Sequence, residues 1–168
     1  MIRSIRTAIL TVSDRSFRGE REDRSGPALR ELVESEGWKL VSAEVLPDER
    51  AMLETYFRRI CASGGTDLIL TTGGTGVAHR DVTPEATLAV IDRSVPGLAE
   101  AIRSEGMKLT PHAMLSRGAA GILGRTMIVN LAGSPKAVRE QFAVIAPALP
   151  HAIQLLRDDP DSEAGHTT

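Results

Sequence analysis

The chain has 168 residues, a length that suits one domain with its own hydrophobic core. Hydrophobic residues are 42% and charged residues 25%, and a net charge of −2 without a long basic run argues against nucleic acid as a partner. Aromatics are only 3%, so the core is built from Ala, Val, Leu and Ile, and the composition argues against a base-stacking surface.

The first segment, Met1 to Arg6, lacks the apolar stretch and small-residue cleavage site of a signal peptide. No apolar run is long enough to span a bilayer, so the expectation is a cytoplasmic protein without a membrane anchor. Residues 5–13 read as a buried strand that ends in polar Ser13-Asp14. A charged loop, Arg18 to Arg24, leads to Ser25-Gly26-Pro27, which places a cap residue and a proline at a helix start. Leu29, Leu32 and Val33 give that helix an apolar stripe, and Gly37 ends it. Trp38 to Leu46 reads as a second strand. Pro47-Asp48 opens a helix with Met52, Leu53, Phe57 and Ile60 on one face, closed by Gly64-Gly65. Cys61 near its end is the single cysteine; it reads as a core residue, and neither a disulfide within the chain nor a cysteine zinc cluster is possible.

Asp67 to Thr72 is the third strand. It runs into the loop Gly73-Gly74-Thr75-Gly76 and then into Thr83-Pro84-Glu85, a helix start with cap, proline and first-turn acid. Val95-Pro96-Gly97 breaks the pattern, Leu98 to Glu105 resumes it, and Pro111 to Ala120 is expected to be helical. Thr126 to Leu131 is a fourth strand. Gly133-Ser134-Pro135-Lys136 turns it into a long helix that Pro147 and Pro150 kink or divide. One domain over residues 1–156 is expected, followed by a polar, frayed tail over 157–168.

Strands alternate with helices and read as continuous apolar runs. The fold expected is therefore α/β, three layers with a mostly parallel sheet covered by helices on both faces. In such a sheet the ligand sits beyond the C-terminal strand ends, where Ser13, Asp48, the Gly/Thr loop and Gly133 to Lys136 all lie. Closely spaced glycines before a helix let backbone N–H groups converge on an anion, so the loop suits a phosphate. It is not a Walker loop, because Gly76 is followed by Val77-Ala78 rather than Lys-Ser/Thr. Nor is it a dinucleotide fingerprint, because His79 stands where a small residue is needed. His79 and His112 have no His/Cys/acid spacing for a transition metal.

Four segments together carry a more specific signal. They are Val12-Ser13-Asp14 with Arg18-Gly19-Glu20 and Asp23 to Pro27; Leu46-Pro47-Asp48-Glu49; Thr71 to Ala86, including Arg80-Asp81-Val82-Thr83-Pro84-Glu85; and Leu115-Ser116-Arg117 through Ala120-Gly121 to Asn130-Leu131 and Gly133-Ser134-Pro135-Lys136-Ala137. In this combination the chain resembles the MoaB/Mog family of molybdenum cofactor biosynthesis proteins.

The resemblance implies molybdopterin adenylyltransferase activity: transfer of AMP from Mg-ATP to the terminal phosphate of molybdopterin, with release of pyrophosphate. A homotrimer and hand-off of the product to a molybdate-insertion protein are implied with it. Asp48 and Asp81 occupy the positions of the family's functional aspartates, with a role in holding Mg²⁺ or orienting phosphates; for Asp48 the competing reading is an N-cap. Ser13, Thr72, Gly73, Gly74, Thr75, Gly76, Ser116, Gly133, Ser134 and Pro135 are candidate contacts to pterin or nucleotide. Arg80, Arg117 and Lys136 are candidate screens for phosphate charge. Ala132 departs from the family's usual proline, which loosens φ at that turn. Two alternatives stand beside this reading: a non-catalytic molybdopterin-binding or assembly protein, and an enzyme acting on other phosphoanhydrides.

Overall fold

The computed structural model describes residues 4–158. Its centre is a six-stranded sheet in which β1 (Arg6–Val12), β2 (Lys39–Leu46), β3 (Leu68–Thr72) and β6 (Thr126–Leu131) run parallel, and β5 (Ala120–Leu123) and β4 (Arg93–Ser94) complete one edge antiparallel. The spatial order is β2-β1-β3-β6-β5-β4.

β1, β3 and β6 are almost wholly buried because each feeds two cores, whereas β2 is an edge strand with alternating exposure. Ile9, Leu68, Leu70, Met127, Val129 and Leu131 face one core; Ala8, Leu10, Val12, Ile69 and Ile128 face the other. On the first face pack α2 (Ser25–Ser35), α5 (Pro96–Met107), α6 (Pro135–Ile145) and α7 (Leu149–Leu156), through Leu29, Ile102, Phe142 and Ile153. On the second pack α3 (Arg50–Ala62) and α4 (Thr83–Val90), through Leu53, Phe57, Ala86 and Val90. This is the three-layer α/β arrangement that the sequence implies.

The connection β1–α2–β2 leaves β1 in one direction, and α3 returns the chain to β3 on the other side of β1. The strand order therefore reverses between β1 and β3, and a crevice opens beyond their C-terminal ends. At the opposite end of the sheet Asp67 accepts hydrogen bonds from Arg6 (Nε, 3.0 Å) and Arg157 (Nε, 3.1 Å). That pairing ties the residue following α7 back to β1 and β3. Residues 159–168 of the expected tail lie outside the described residues.

Three local expectations are corrected. Pro111 to Ala120 is not one helix: a 3₁₀ turn spans Pro111–Leu115, and the chain then extends into β5. The Arg103 guanidinium stops the helical path there by binding the carbonyls of Ser116 (3.2 Å) and Gly118 (2.9 Å). Strands β4 and β5 were not expected, nor was α1 (Asp14–Phe17), which Ser13 caps through Oγ and the Ser16 N–H (3.2 Å). The helix after Pro47 begins at Arg50, with Glu49 rather than Asp48 at the N-cap. The division expected at Pro147 and Pro150 is present, between α6 and α7.

Candidate active site

The glycine loop is shaped by backbone proximity. Gly73 has φ 102° and Gly74 φ 65°, conformations that side chains disfavour. A Cβ on Gly73 would stand 2.2 Å from the Val12 carbonyl oxygen, so the end of β3 can press against β1 only as glycine. The Gly73 N–H donates to Leu131 O (3.1 Å) and is turned away from any ligand. Among the described residues the N–H groups of Gly74, Thr75 and Gly76 have no acceptor in the chain. They are the donors left to an anion.

A buried polar relay supports the loop from behind. The Asn130 amide donates to Thr71 Oγ1 (3.1 Å) and Thr87 Oγ1 (2.9 Å). The Thr87 hydroxyl donates to Thr83 O (3.0 Å), and the Thr83 hydroxyl donates to Gly73 O (3.0 Å). Each member is satisfied by the next, so the network fixes one loop geometry.

Asp48 and Asp14 clasp each other. The Asp14 N–H donates to Asp48 Oδ2, and the Asp48 N–H donates to Asp14 Oδ1, each at 3.0 Å. The capping alternative for Asp48 is thereby set aside, since its carboxylate serves the loop after β1 and not α3. Its second oxygen lies 2.9 Å from where a Cβ on Gly74 would stand. Asp81 borders the loop at Gly76: its Oδ2 accepts the Ala78 N–H (3.0 Å) and lies 2.9 Å from a Cβ placed on Gly76. Burial pushes the Asp48 carboxyl above its ordinary value, against the Asp14 N–H, and the charges of Asp14 and Asp81 add to the rise. The Arg80 hydrogen bonds hold the Asp14 carboxyl below its ordinary value.

The candidate residues are divided between two clefts. Ser13, Asp48, Thr72 and Gly73 line a polar cleft of about 230 Å³, together with Gly74, Asp81, Gly133 and Pro135. Thr75, Gly76 and Ser116 instead line a larger, mostly apolar cleft of about 570 Å³ between the loop, α5, the 3₁₀ turn and α6. Arg80, Arg117, Ser134 and Lys136 line neither.

Over residues 8–151 the sequence matches the family model described as "Probable molybdopterin binding domain". The chain belongs to this molybdopterin-binding domain family. Among curated relatives, the Helicobacter pylori (strain J99) protein named molybdopterin adenylyltransferase is 38% identical over 92% of this chain and 89% of its own length. The molybdenum cofactor synthesis protein cinnamon of Drosophila melanogaster is 44% identical over 93% of this chain, which spans only 26% of that longer protein. Among solved structures, the molybdopterin biosynthesis enzyme MoaB of Thermus thermophilus superposes with a TM-score of 0.87 at 50% identity, covering 93% of this chain and 98% of that one.

Within this molybdopterin-binding fold several side chains do something other than the motif suggested. Arg80 is engaged by carboxylates: Nε and Nη2 meet Asp14 at 2.9 and 3.0 Å, and Nη2 meets Glu49 at 2.8 Å. Arg117 braces the loop by donating to Gly76 O (2.7 Å) and Asp81 O (2.7 Å) while pairing with Glu85. Ser134 caps α6, accepting the Ala137 N–H at 3.2 Å, and Lys136 is exposed beside Glu140. The Thr72 hydroxyl donates to Ala132 O at 2.8 Å. Ala132 uses the N–H that a proline lacks, donating it to Gln141 Oε1 at 2.8 Å. Sequence reasoning missed Asp14 as a partner of Asp48, and also Asp23, whose Oδ2 accepts the Thr11 hydroxyl (2.7 Å) and whose Oδ1 accepts the Gly26 N–H (3.0 Å). The spacing of Ser13-Asp14 after β1 and Pro47-Asp48 after β2 held the signal for the first.

Proposed function

We propose that the chain is a molybdopterin adenylyltransferase. The observation that carries this reading is the convergence of Asp48 and Asp81 on one cleft beside the glycine loop, at the reversal of strand order. The name of the Helicobacter pylori relative, matched over nearly its whole length, supports the same reaction.

The nucleophile is the terminal phosphate monoester of molybdopterin. Its second pKa is about 6, so it is mostly ionised near neutral pH and needs no strong general base. One of its oxygens bonds to the α-phosphorus of ATP while the bond from that phosphorus to the bridging oxygen breaks. Pyrophosphate leaves with the electron pair. The difficulty is the mutual repulsion of the two anions. The free N–H groups of Gly74, Thr75 and Gly76 are preset donors for phosphate oxygens and need no reorganisation. The Asp14 clasp keeps the Asp48 carboxylate at the mouth of the loop.

Asp48 and Asp81 fit Mg²⁺, which takes one or two carboxylates and completes its shell with water and phosphate oxygens. Both carboxylates border space that a Cβ on Gly74 or Gly76 would fill, and the described residues contain no cluster of three or more acidic, His or Cys ligands. The two would hold the ion together with the triphosphate, and when bound it supplies positive charge between the reacting phosphates. A homotrimer and delivery of the product to a molybdate-insertion protein belong to the same reading. Exposed Met107, Leu109, Met114 and Leu115 offer apolar surface for such assembly. No helix of the described residues is long and apolar enough to cross a membrane.

A single-turnover assay with Mg-ATP and molybdopterin tests the proposal. Formation of adenylylated pterin with one pyrophosphate released is the expected result. Binding of both ligands without product would replace it with the non-catalytic role.

A further inference from the structure

Arg80 and Arg117 cannot serve the phosphates while they hold Asp14, Glu49, Glu85 and the loop carbonyls. The polar cleft nevertheless carries cations that were not among the candidate screens for phosphate charge. Arg21 and Arg24, from the charged loop after α1, line it together with Asp48, Asp81 and Gly74. Beyond them it continues into a second cleft of about 330 Å³ lined by Arg15, Arg21, Glu22 and Arg24. Arg21 has no ion pair among the described residues, and Arg24 has only a 3.3 Å contact with Glu22 in which both side chains are largely exposed.

The loop that carries these arginines is held in place. Asp23 pins it to β1 through the Thr11 hydroxyl and to α2 through the Gly26 N–H. A Cβ on Gly26 would stand 2.3 Å from Asp23 Oδ2, so the approach is close. Ser25 and Pro135, at the N-termini of α2 and α6, border the same cleft and add positive dipole ends. The cleft is thus polarised: two carboxylates at the glycine loop, and two guanidinium groups with two helix N-termini along its other walls. The acids on that side, Asp23 and Glu22, are engaged with Thr11 and Gly26, and with Arg24.

We propose that Arg21 and Arg24 bind the polyphosphate arm of the nucleotide, the part that departs as pyrophosphate. The inference rests on the adenylyltransferase reading. The α-phosphate then lies at the glycine loop between Asp48 and Asp81. The two terminal phosphates extend toward the arginines, whose planar forks suit phosphate oxygens. Arg15 lies further along the same path and meets the outgoing pyrophosphate.

The test is calorimetric titration of inorganic pyrophosphate into the full chain and into Arg21→Ala/Arg24→Ala, beside steady-state adenylylation. The double variant is expected to bind pyrophosphate about tenfold more weakly or worse. Its KM for ATP rises more than its kcat falls, and its affinity for molybdopterin and its unfolding temperature stay at the parent values. Pyrophosphate affinity unchanged in the double variant would overturn the proposal, even if the parent makes adenylylated pterin. A parent that binds pyrophosphate through these arginines but forms no adenylylated pterin would uphold the anion site and reject the adenylyltransferase reading.

Discussion

Asp14 and Asp48 each accept the other's backbone N–H at 3.0 Å, a reciprocal pair that joins the loops after β1 and β2. The register makes this pairing possible. Val12 lies opposite Leu46 in the parallel ladder, so residues two further along each strand meet just past the sheet edge. Arg80 then closes the pair by neutralising Asp14 and reaching Glu49. The loop that carries Asp81 is thereby tied to the one that carries Asp48.

Asp14→Ala removes one half of this clasp and leaves the Asp48 N–H without its acceptor. The expected cost is about 1–2 kcal/mol of stability, with kcat lowered by about tenfold and molybdopterin affinity kept. Chemical denaturation and steady-state kinetics read the two effects separately. An equal loss in Arg80→Ala would show that the arginine acts through Asp14.

Asp81→Asn is expected to retain pterin binding and to lose most adenylylation, about a hundredfold or more in kcat. Asp48→Asn goes in the same direction with a smaller loss. Unchanged turnover in Asp81→Asn would remove it from the site.

The Asp48 carboxyl is pushed above its ordinary value by burial. Carboxyl-resolved NMR is expected to place its midpoint above the reference value of about 4. Because the folded value is raised, protonated Asp48 contributes stability at low pH that is lost as pH rises through the folded midpoint. Addition of Mg²⁺ is expected to move the midpoint down. A midpoint indifferent to Mg²⁺ would argue against a cation at this carboxylate.

Gly73→Ala combines a left-handed φ with a direct approach to the Val12 carbonyl. The expected destabilisation is about 2–4 kcal/mol, visible as a lowered unfolding midpoint, because neither the β1 backbone nor the loop can move away independently. Gly124→Ala serves as comparison. It has a positive φ but nothing within 4 Å of a Cβ, so its cost is expected to be smaller.

Asp67 answers to acid in the opposite sense from Asp48. Burial acts to raise its carboxyl, but the hydrogen bonds from Arg6 and Arg157 outweigh burial and hold it well below the usual carboxylate range. A depressed folded value means that its stabilisation is complete above the unfolded value and is lost as pH falls below about 5. Thermal unfolding between neutral pH and acid is expected to show that loss in the parent and a flatter profile in Asp67→Asn.

The parts of this fold that were legible in the sequence are those decided locally or by burial on both faces. β1, β3 and β6 read as strands because both cores demand apolar residues over most of their length. β4 has only Arg93 and Ser94, and β5 holds Gly121, whose missing side chain leaves room for Ile91 and the Arg93 carbonyl. Those strands exist through tertiary pairing, which no local pattern announces. At the site, the motif singled out Asp48 and Asp81, and the structure brings both to one cleft. The engagement of Arg80 and Arg117 was not, because a guanidinium's partner depends on which loops the sheet brings together. Asp14 was visible as a polar residue after β1, but its task became apparent only with the β1–β2 register.

The most direct test of the account is a crystal structure of the protein with Mg²⁺ and a non-hydrolysable ATP analogue. Phosphate density is expected over Gly73 to Gly76, with the cation bound by the carboxylates of Asp48 and Asp81. Triphosphate bound outside this cleft, with neither carboxylate contacting the cation, would contradict it.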